Sequence, residues 1–578
     1  MIERWSRDQV LALAPDASSQ KAAQGVSTPA KWSSRGTTGT VLYGECKGSG
    51  AKPYLACVDL TEPAYRCSCP SRKFPCKHAL GLLLMWSGDG VPEAAAVPPW
   101  VAEWVEGRAA RAAKAAAKLE AAREQAAQAE AAQAASGQSG GAETATAAEA
   151  GEPGVATLGA AGNASRGPEA GEPGVATSGA AGLEGPGAAA GRPGGATTGE
   201  LGGAVSGELG VAGGAGAAVP GEAGVGSAQS GAPAAGGPGR ARGEGSKGAG
   251  QGAESVRHAR VATGLAELER WLADQVRQGL AGAAEHDWDG LAKRLIDAQA
   301  PGVAGVVSRL AQVRSEEHWP GRLLEEYALI NLLAVAYRRR AELPAPLAQT
   351  VLIRAGFPVT REEVLIRPVV RDQWDVLGRR DDVQDRLTAR RVWLRGRRTG
   401  RAALVLSFAP LGQPLDASLV TGTTIDADLT FYPGAAPLRA LVAARHGAVP
   451  PDELVADKPS GSPQADKPSR ADKPSRTASP GRPIDPRVPP GMSPDEALDE
   501  VAGALADDPW TDSWPLVLSG VVPAGATLGG LVLHPKARDP WRLIAVSGGH
   551  PVTVAAEWTP QGLRPLTTWD EEGTAVIL

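Results

Sequence analysis

The sequence is poor in the residues that build cores and cross-links. Aromatic residues make up 4% of its 578 residues, and no Phe, Tyr or Trp occurs between Trp104 and Trp271. Rings supply much of the buried area of a folded domain, so that gap excludes a packed globular core there. There are only five cysteines: Cys46, Cys57, Cys67, Cys69 and Cys76. A small, odd number in a long chain argues against a disulfide framework, and their clustering points to metal in a reducing compartment. Long apolar runs are missing too. The longest, Ala79 to Trp86, falls far short of the ~20 residues that span a bilayer. The N-terminal MIERWSRDQVLALAPD has no apolar run of signal-peptide length, so a soluble, cytoplasmic protein without a membrane partner is expected. The net charge of −5 is small for this length and does not by itself mark a nucleic-acid protein. Phosphate-loop, nucleophile-elbow and H-E-x-x-H motifs are absent, so neither an enzyme nor a small-molecule substrate is expected.

Glycine and proline are abundant, at 74 and 47 residues. They concentrate in a Gly/Ala/Pro/Glu/Ser tract over 136–252, which repeats GEPGVATLGAAG from Gly151 as GEPGVATSGAAG from Gly171. A repeat without core-forming residues is a low-complexity linker rather than a solenoid. Before it, an Ala-rich stretch with Lys, Glu, Arg and Gln predicts one long exposed helix, assigned to 109–135. After it, Leu265, Leu268, Leu272 and Val276 recur at helical spacing. So do Leu291, Leu295 and Ile296, and then Leu323, Leu324, Tyr327, Ile330 and Leu333. They predict a helical region over 253–345, ended by Pro344 and Pro346. An α+β region over 346–455 follows, with β-like runs at Arg391–Leu394, Ala403–Phe408 and Ile425–Tyr432. A Pro/Ser/Lys linker covers 456–491, and Ser493 with Glu496 resembles a capping box opening a short helix. The β-rich part 492–578, with strands expected at Pro515–Val522, Trp541–Val546, Val552–Trp558 and Thr574–Leu578, is expected to join 346–455 in one domain. The fold class is multidomain α+β: a small zinc-stabilised N-terminal module over 1–108, a long disordered linker, and a C-terminal helical plus β domain.

The chemistry lies in YRCSCPSRKFPCKHALGLLLMW, whose pattern is C-x-C-x6-C-x-H. Cys67, Cys69, Cys76 and His78 place four N/S donors within a short span, and zinc takes four such donors at tetrahedral corners. Thiolate selects zinc over magnesium or calcium. Each pair is spaced i, i+2, which puts both side chains on one side of an extended or tightly turned backbone. Pro70, Ser71 and Pro75 suit a turn between the pairs. The second pair then opens an apolar helix from about Lys77 to Trp86, with Leu80, Leu83 and Leu84 able to pack on the strand carrying the first pair. Catalytic zinc keeps three protein ligands and an open position, so a closed Cys3His set predicts one structural Zn2+.

This motif, followed by its apolar helix, resembles the SWIM-type zinc finger. Cys67, Cys69, Cys76 and His78 fall on the four ligand positions, with a spacer at the short end of the family's range. The flanking RWSRDQVLALAPD and CPSRKFPCKHALGLLL are similar to large bacterial SWIM proteins of high-GC genomes. The resemblance covers roughly residues 1–108. It implies zinc binding and a role in DNA or protein interaction. It also implies an association with AAA-type ATPases and von Willebrand A-domain proteins.

Around the ligands stand Arg66, Arg72, Lys73 and Lys77, with Lys47 and Lys52 upstream and no acidic residue from Tyr65 to Met85. A basic patch on a zinc scaffold suits phosphate contact, and Phe74 could stack on a base. The same cations could instead offset the negative charge of three thiolates on one zinc, and Phe74 could cap a small core. The residues leave DNA or another nucleic acid and a protein partner both open. Cys46 and Cys57 read as core cysteines, and His534 and His550 as ordinary histidines. Asp426 and Asp428 read as the wet face of a strand. Arg338–Arg340 reads as a helix end with cations suited to the macrodipole, while Arg390–Arg398 is a second basic run.

Overall fold

A computed structural model describes residues 2–139, 245–449, 454 and 485–578, apart from 49, 51, 283, 284, 317, 385, 386, 412, 414, 538 and 539. The expected linkers therefore lie largely outside the described residues. Helices run into both ends of the first of them.

The N-terminal module begins with helices α1 (Arg7–Ala12) and α2 (Ala17–Gln24). An antiparallel sheet follows in the order β1 (Trp32–Thr37), β2 (Val41–Cys46), β3 (Tyr54–Asp59), β4 (Ala64–Cys67). Helix α3 (Lys77–Ser87) is apolar almost all round, and every residue from His78 to Trp86 is buried. Such a helix can only be a core element. Leu80, Leu83 and Leu84 join Leu42, Ala56, Val58 and Tyr65 in one cluster, as their spacing predicts. Fully burying each leucine contributes about 1.5–3 kcal/mol. Gly81 sets how closely α3 can approach: a Cβ there would lie 2.6 Å from Val26 Cγ2 and 3.2 Å from the Ala23 carbonyl.

The other side of the sheet, with Val41, Tyr43 and Cys57, packs with Val101 of α4 (Pro99–Ser139). The Ala-rich helix thus starts inside the module rather than after it. It is also less exposed than its composition suggests. Leu119, Ala122, Arg123 and Ala126 are half-buried, and Arg123 donates to the Leu365 carbonyl at 3.0 Å.

Helices α5 (Gly245–Gln278), α6 (Glu285–Asp297), α7 (Pro301–Ser308), α8 (Leu310–Val313), α9 (Trp319–Arg338) and α10 (Ala345–Ala355) share one core. Val276, Ile296 and Leu324 point outward, because each sits beside or beyond the buried stripe on its helix. Pro344 and Pro346 do not end the helical block. They open α10 as its N-cap and first-turn residues, where a missing N–H costs nothing.

After α11 (Arg361–Leu365) come β5 (Val369–Gln384), β6 (Leu387–Gly396), β7 (Ala402–Pro410), β8 (Thr424–Phe431) and β9 (Arg439–Ala448). They close a barrel in the order β5-β6-β7-β9-β8, with β7 and β9 parallel. Five strands closed in this Greek-key order form a barrel of the OB kind. Helix α12 (Pro494–Asp507) opens with the expected Ser493/Glu496 capping box. It precedes β10 (Trp514–Val521) and a small meander, β11 (Pro523–Ala524), β12 (Thr527–Leu528) and β13 (Leu531–Val532). Then come α13 (Pro540–Ser547), β14 (Val552–Thr559), β15 (Gly562–Trp569) and β16 (Ala575–Ile577). Residues Trp541–Val546 are helical, not a strand: Pro540 fixes a helical first turn and Leu543 fills the core. The sheet β10-β14-β15-β16 covers the outer face of β6 and β7, with Trp393 and Leu404 buried against Val517, Ala555 and Leu566. Gly378 permits that approach, since a Cβ there would meet Leu566 Cβ at 2.5 Å.

The loop between β7 and β8 buttresses the N-terminal module. Tyr65 Oη donates to the Ala417 carbonyl at 3.1 Å, and Gln9 Nε2 to that of Thr421 at 2.9 Å. No helix among the described residues is long and apolar enough to cross a membrane.

Gly81→Ala tests the packing of α3. Alanine ordinarily gains about 1 kcal/mol over glycine within a helix. Here the overlap with Val26 outweighs that gain, and denaturant unfolding should register a net loss of about 1–3 kcal/mol.

Candidate metal centre

The four ligands come from two elements that the core already holds together. Cys67 ends β4 and Cys69 follows it, while Cys76 is the N-cap of α3 and His78 lies in its first turn. Ser68 fixes the strand end: its N–H donates to the Leu55 carbonyl and its hydroxyl accepts from the Leu55 N–H, both at 2.9 Å. The His78 ring stacks on Tyr54 with centroids 4.8 Å apart.

One ligand atom from each residue lies within 4.8 Å of all the others, and Cys67 Sγ is 3.7 Å from His78 Nδ1. Bond lengths of about 2.3 Å to sulfur and 2.0–2.1 Å to nitrogen put neighbouring ligands about 3.5–3.8 Å apart on a tetrahedron. Cys76 and His78 are buried, and Cys67 and Cys69 half-buried. Donor type, number and spacing all fit one structural Zn2+. Without a cation the thiols compete for protons. The Cys67 thiol is pushed up, first by its hydrogen bond to Cys76, and burial raises Cys69. The same hydrogen bond holds Cys76 low, at about 4. Zinc replaces the shared protons.

Arg66, Arg72 and Lys77 are exposed and make no ion pair or side-chain hydrogen bond with any described residue. Lys73 does not share that freedom. Its ammonium lies 2.7 Å from Asp16 Oδ2 and 2.8 Å from Ser18 Oγ, and it holds Asp16 well below the usual carboxylate range. Phe74 is 38% exposed, with its ring edge-on to Tyr65 at 5.7 Å. Lys31 joins this surface: its carbonyl accepts from the Lys47 N–H at 2.8 Å, and both side chains are exposed. Sequence reasoning missed Lys31 because it lies far from the motif along the chain.

The lesser candidates resolve into structure. Cys46 and Cys57 are buried in the module core. Asp426 pairs with Arg371 at 2.9 Å, and Asp428 lies 3.2 Å from His446 Nε2. Arg338 ends α9 and pairs with Glu269. The basic run over β6 and the β6–β7 turn is neutralised: Arg390 binds Asp381, Arg391 binds Asp382, Arg395 binds Glu500, Arg397 binds Asp375 and Arg398 binds Asp372. His550 is exposed. His534 is buried, with Nδ1 accepting from the Lys536 N–H at 2.9 Å and Nε2 2.7 Å from Arg564.

Two measurements follow. One zinc should bind per chain. Cys69→Ser or His78→Ala should lose it together with the ordered module, and acid should release it as protons compete for the thiolates. Burial, then the Arg564 charge, lowers the His534 pKa to about 4. Its neutral ring stabilises the fold fully above the unfolded-state value near 6.5, and that contribution is lost as pH falls through about 4. The His534 imidazole resonance should titrate near the lower value, and a midpoint above 6 would refute this.

A family model for the SWIM zinc finger matches residues 57–87. A second, for the SWIM-associated four-helix bundle domain, matches residues 256–355. No curated protein and no solved structure matches the chain. The first match spans all four ligands and the second spans most of the α5–α10 core, so the chain carries a SWIM-type zinc finger and a SWIM-associated four-helix bundle domain.

Proposed function

We propose that the protein is a non-catalytic interaction protein of the cytoplasm whose zinc finger contacts nucleic acid. The observation that carries this reading is the set of uncompensated cations on the finger. Arg66, Arg72 and Lys77 stand exposed without carboxylate partners, while the arginines of the run Arg390–Arg398 are all paired within the fold. If the finger cations served only to offset the thiolates, one neighbour of a site with net charge near −1 would suffice. The barrel offers a poorer surface. Barrels of this kind hold oligonucleotides on the face of their second and third strands, and the C-terminal sheet covers that face here. A closed four-ligand site supports a structural rather than a catalytic zinc.

A protein-binding adaptor, working with an AAA-type ATPase and a von Willebrand A-domain partner, is the second reading. It is favoured by Leu324 and Leu332, which are exposed two helical turns apart on α9 of the SWIM-associated bundle.

Salt separates the two. Phosphate contact by the finger should weaken steeply between about 50 and 200 mM salt, whereas an apolar protein contact should not. The double substitution Arg72→Ala with Lys77→Ala should reduce the slope of log affinity against log salt by about two and leave zinc content unchanged. Salt-insensitive binding, or a double variant that binds like the parent, would count against the nucleic-acid reading.

A further inference from the structure

A cavity of ≈ 540 Å³ opens beside the finger, where the β3–β4 turn, α4 and the β7–β8 loop meet. Phe74, Tyr65 and Trp104 give it ring surfaces, Arg111 stands on its wall, and Asp416 lies on the barrel side. Its size is ordinary for a small-ligand site. Phe74 belongs to the cavity and also to the basic stretch between Arg72 and Lys77, so the two surfaces are continuous.

The charges around the cavity favour an anion over a cation. Arg108 is already committed, stacked over Trp104 at 5.4 Å and paired with Asp59 and Glu62. Arg111 is exposed and has no carboxylate partner. Glu62 and Asp416 share the lining with Arg108 and Arg111. Behind the cavity floor Tyr65 feels Arg379, Arg390 and Arg445, of which Arg390 is paired with Asp381, so Arg379 and Arg445 carry the excess. Arg379 Nη1 is buried without any hydrogen-bond acceptor, and burial followed by repulsion from Arg390 lowers this guanidinium to about 10. A methylated ammonium would suit the rings but would add another cation to that excess. A planar heterocycle carrying a phosphate satisfies both the rings and the charge.

We propose that this cavity receives one unstacked base of a single-stranded nucleic acid. The base lies against Phe74, and a neighbouring phosphate meets Arg111. The inference rests on the finger contact proposed above and adds the form of its ligand. A duplex keeps its internal bases stacked on both faces, and taking one out costs unstacking and unpairing energy, so a single strand presents a base to a ring more readily.

The test uses the full-length, zinc-loaded protein with a short single-stranded oligonucleotide that carries one 2-aminopurine, and with the matching duplex. Binding of the strand should quench the reporter and should be tighter than binding of the duplex. Phe74→Ala should cut strand affinity about tenfold and abolish both the quench and the strand preference, while Phe74→Trp restores them. Arg111→Ala, at an exposed position, should lower the salt slope for the strand by about one. It keeps the test alive should Phe74→Ala lose its zinc. Equal affinity for strand and duplex with an unquenched reporter, while Arg72→Ala with Lys77→Ala still weakens binding, overturns the cavity assignment and leaves the finger contact standing. No binding of either nucleic acid overturns both.

Discussion

Four side chains meeting at one point tie the end of β4 to the start of α3. The core packs the two elements together, but the segment that joins them has little else to fix it. The chain between Cys69 and Cys76 lies on the surface and makes few long-range hydrogen bonds, apart from the Lys73 contacts with Asp16 and Ser18. A structural zinc supplies the missing constraint. Its binding free energy counts as folding free energy, because the site does not exist in the unfolded chain. With β4 and α3 joined, Leu80, Leu83 and Leu84 are set against the sheet, and Tyr65 is set to reach the barrel at Ala417.

The finger is therefore part of a larger packed unit rather than an independent bead. Ala417 and Val420 of the β7–β8 loop enter its core cluster, and Trp5 packs edge-on against Trp86. Helix α4 carries the contact further, from Val101 under the sheet to Arg123 at the end of α11. Such continuity places the cations of the finger and the rings of the adjoining cavity side by side, with buried arginines behind them. The same packing hides the outer face of β6 and β7, so the barrel contributes a loop to the finger instead of an open groove of its own.

What the sequence made legible follows from what kind of signal each feature leaves. The ligands were readable because metal chemistry is local: four donors in one short span admit few other meanings. The bundle helices were readable from their apolar period, although Val276, Ile296 and Leu324 turned outward. Strand β5 was hidden because buried charges break its alternation. Asp372 and Asp375 lie in the interior, held by Arg398 and Arg397 on the β6–β7 turn. Residues 541–546 have the composition of a strand and form a helix, since Pro540 and the core position of Leu543 outweigh β propensity. The diversion of Lys73 to Asp16 and the cavity shared by Phe74, Trp104, Arg111 and Asp416 join residues far apart in the chain. No local pattern could reveal them.

The claim on which the rest stands is that one zinc holds the finger to its neighbours. Amide hydrogen exchange of the full chain before and after chelation measures this most directly. The account predicts that zinc removal strips protection from α3 and from β2 to β4, and loosens the β7–β8 loop, while the α5–α10 core keeps its protection. An exchange pattern unchanged by metal removal would contradict it.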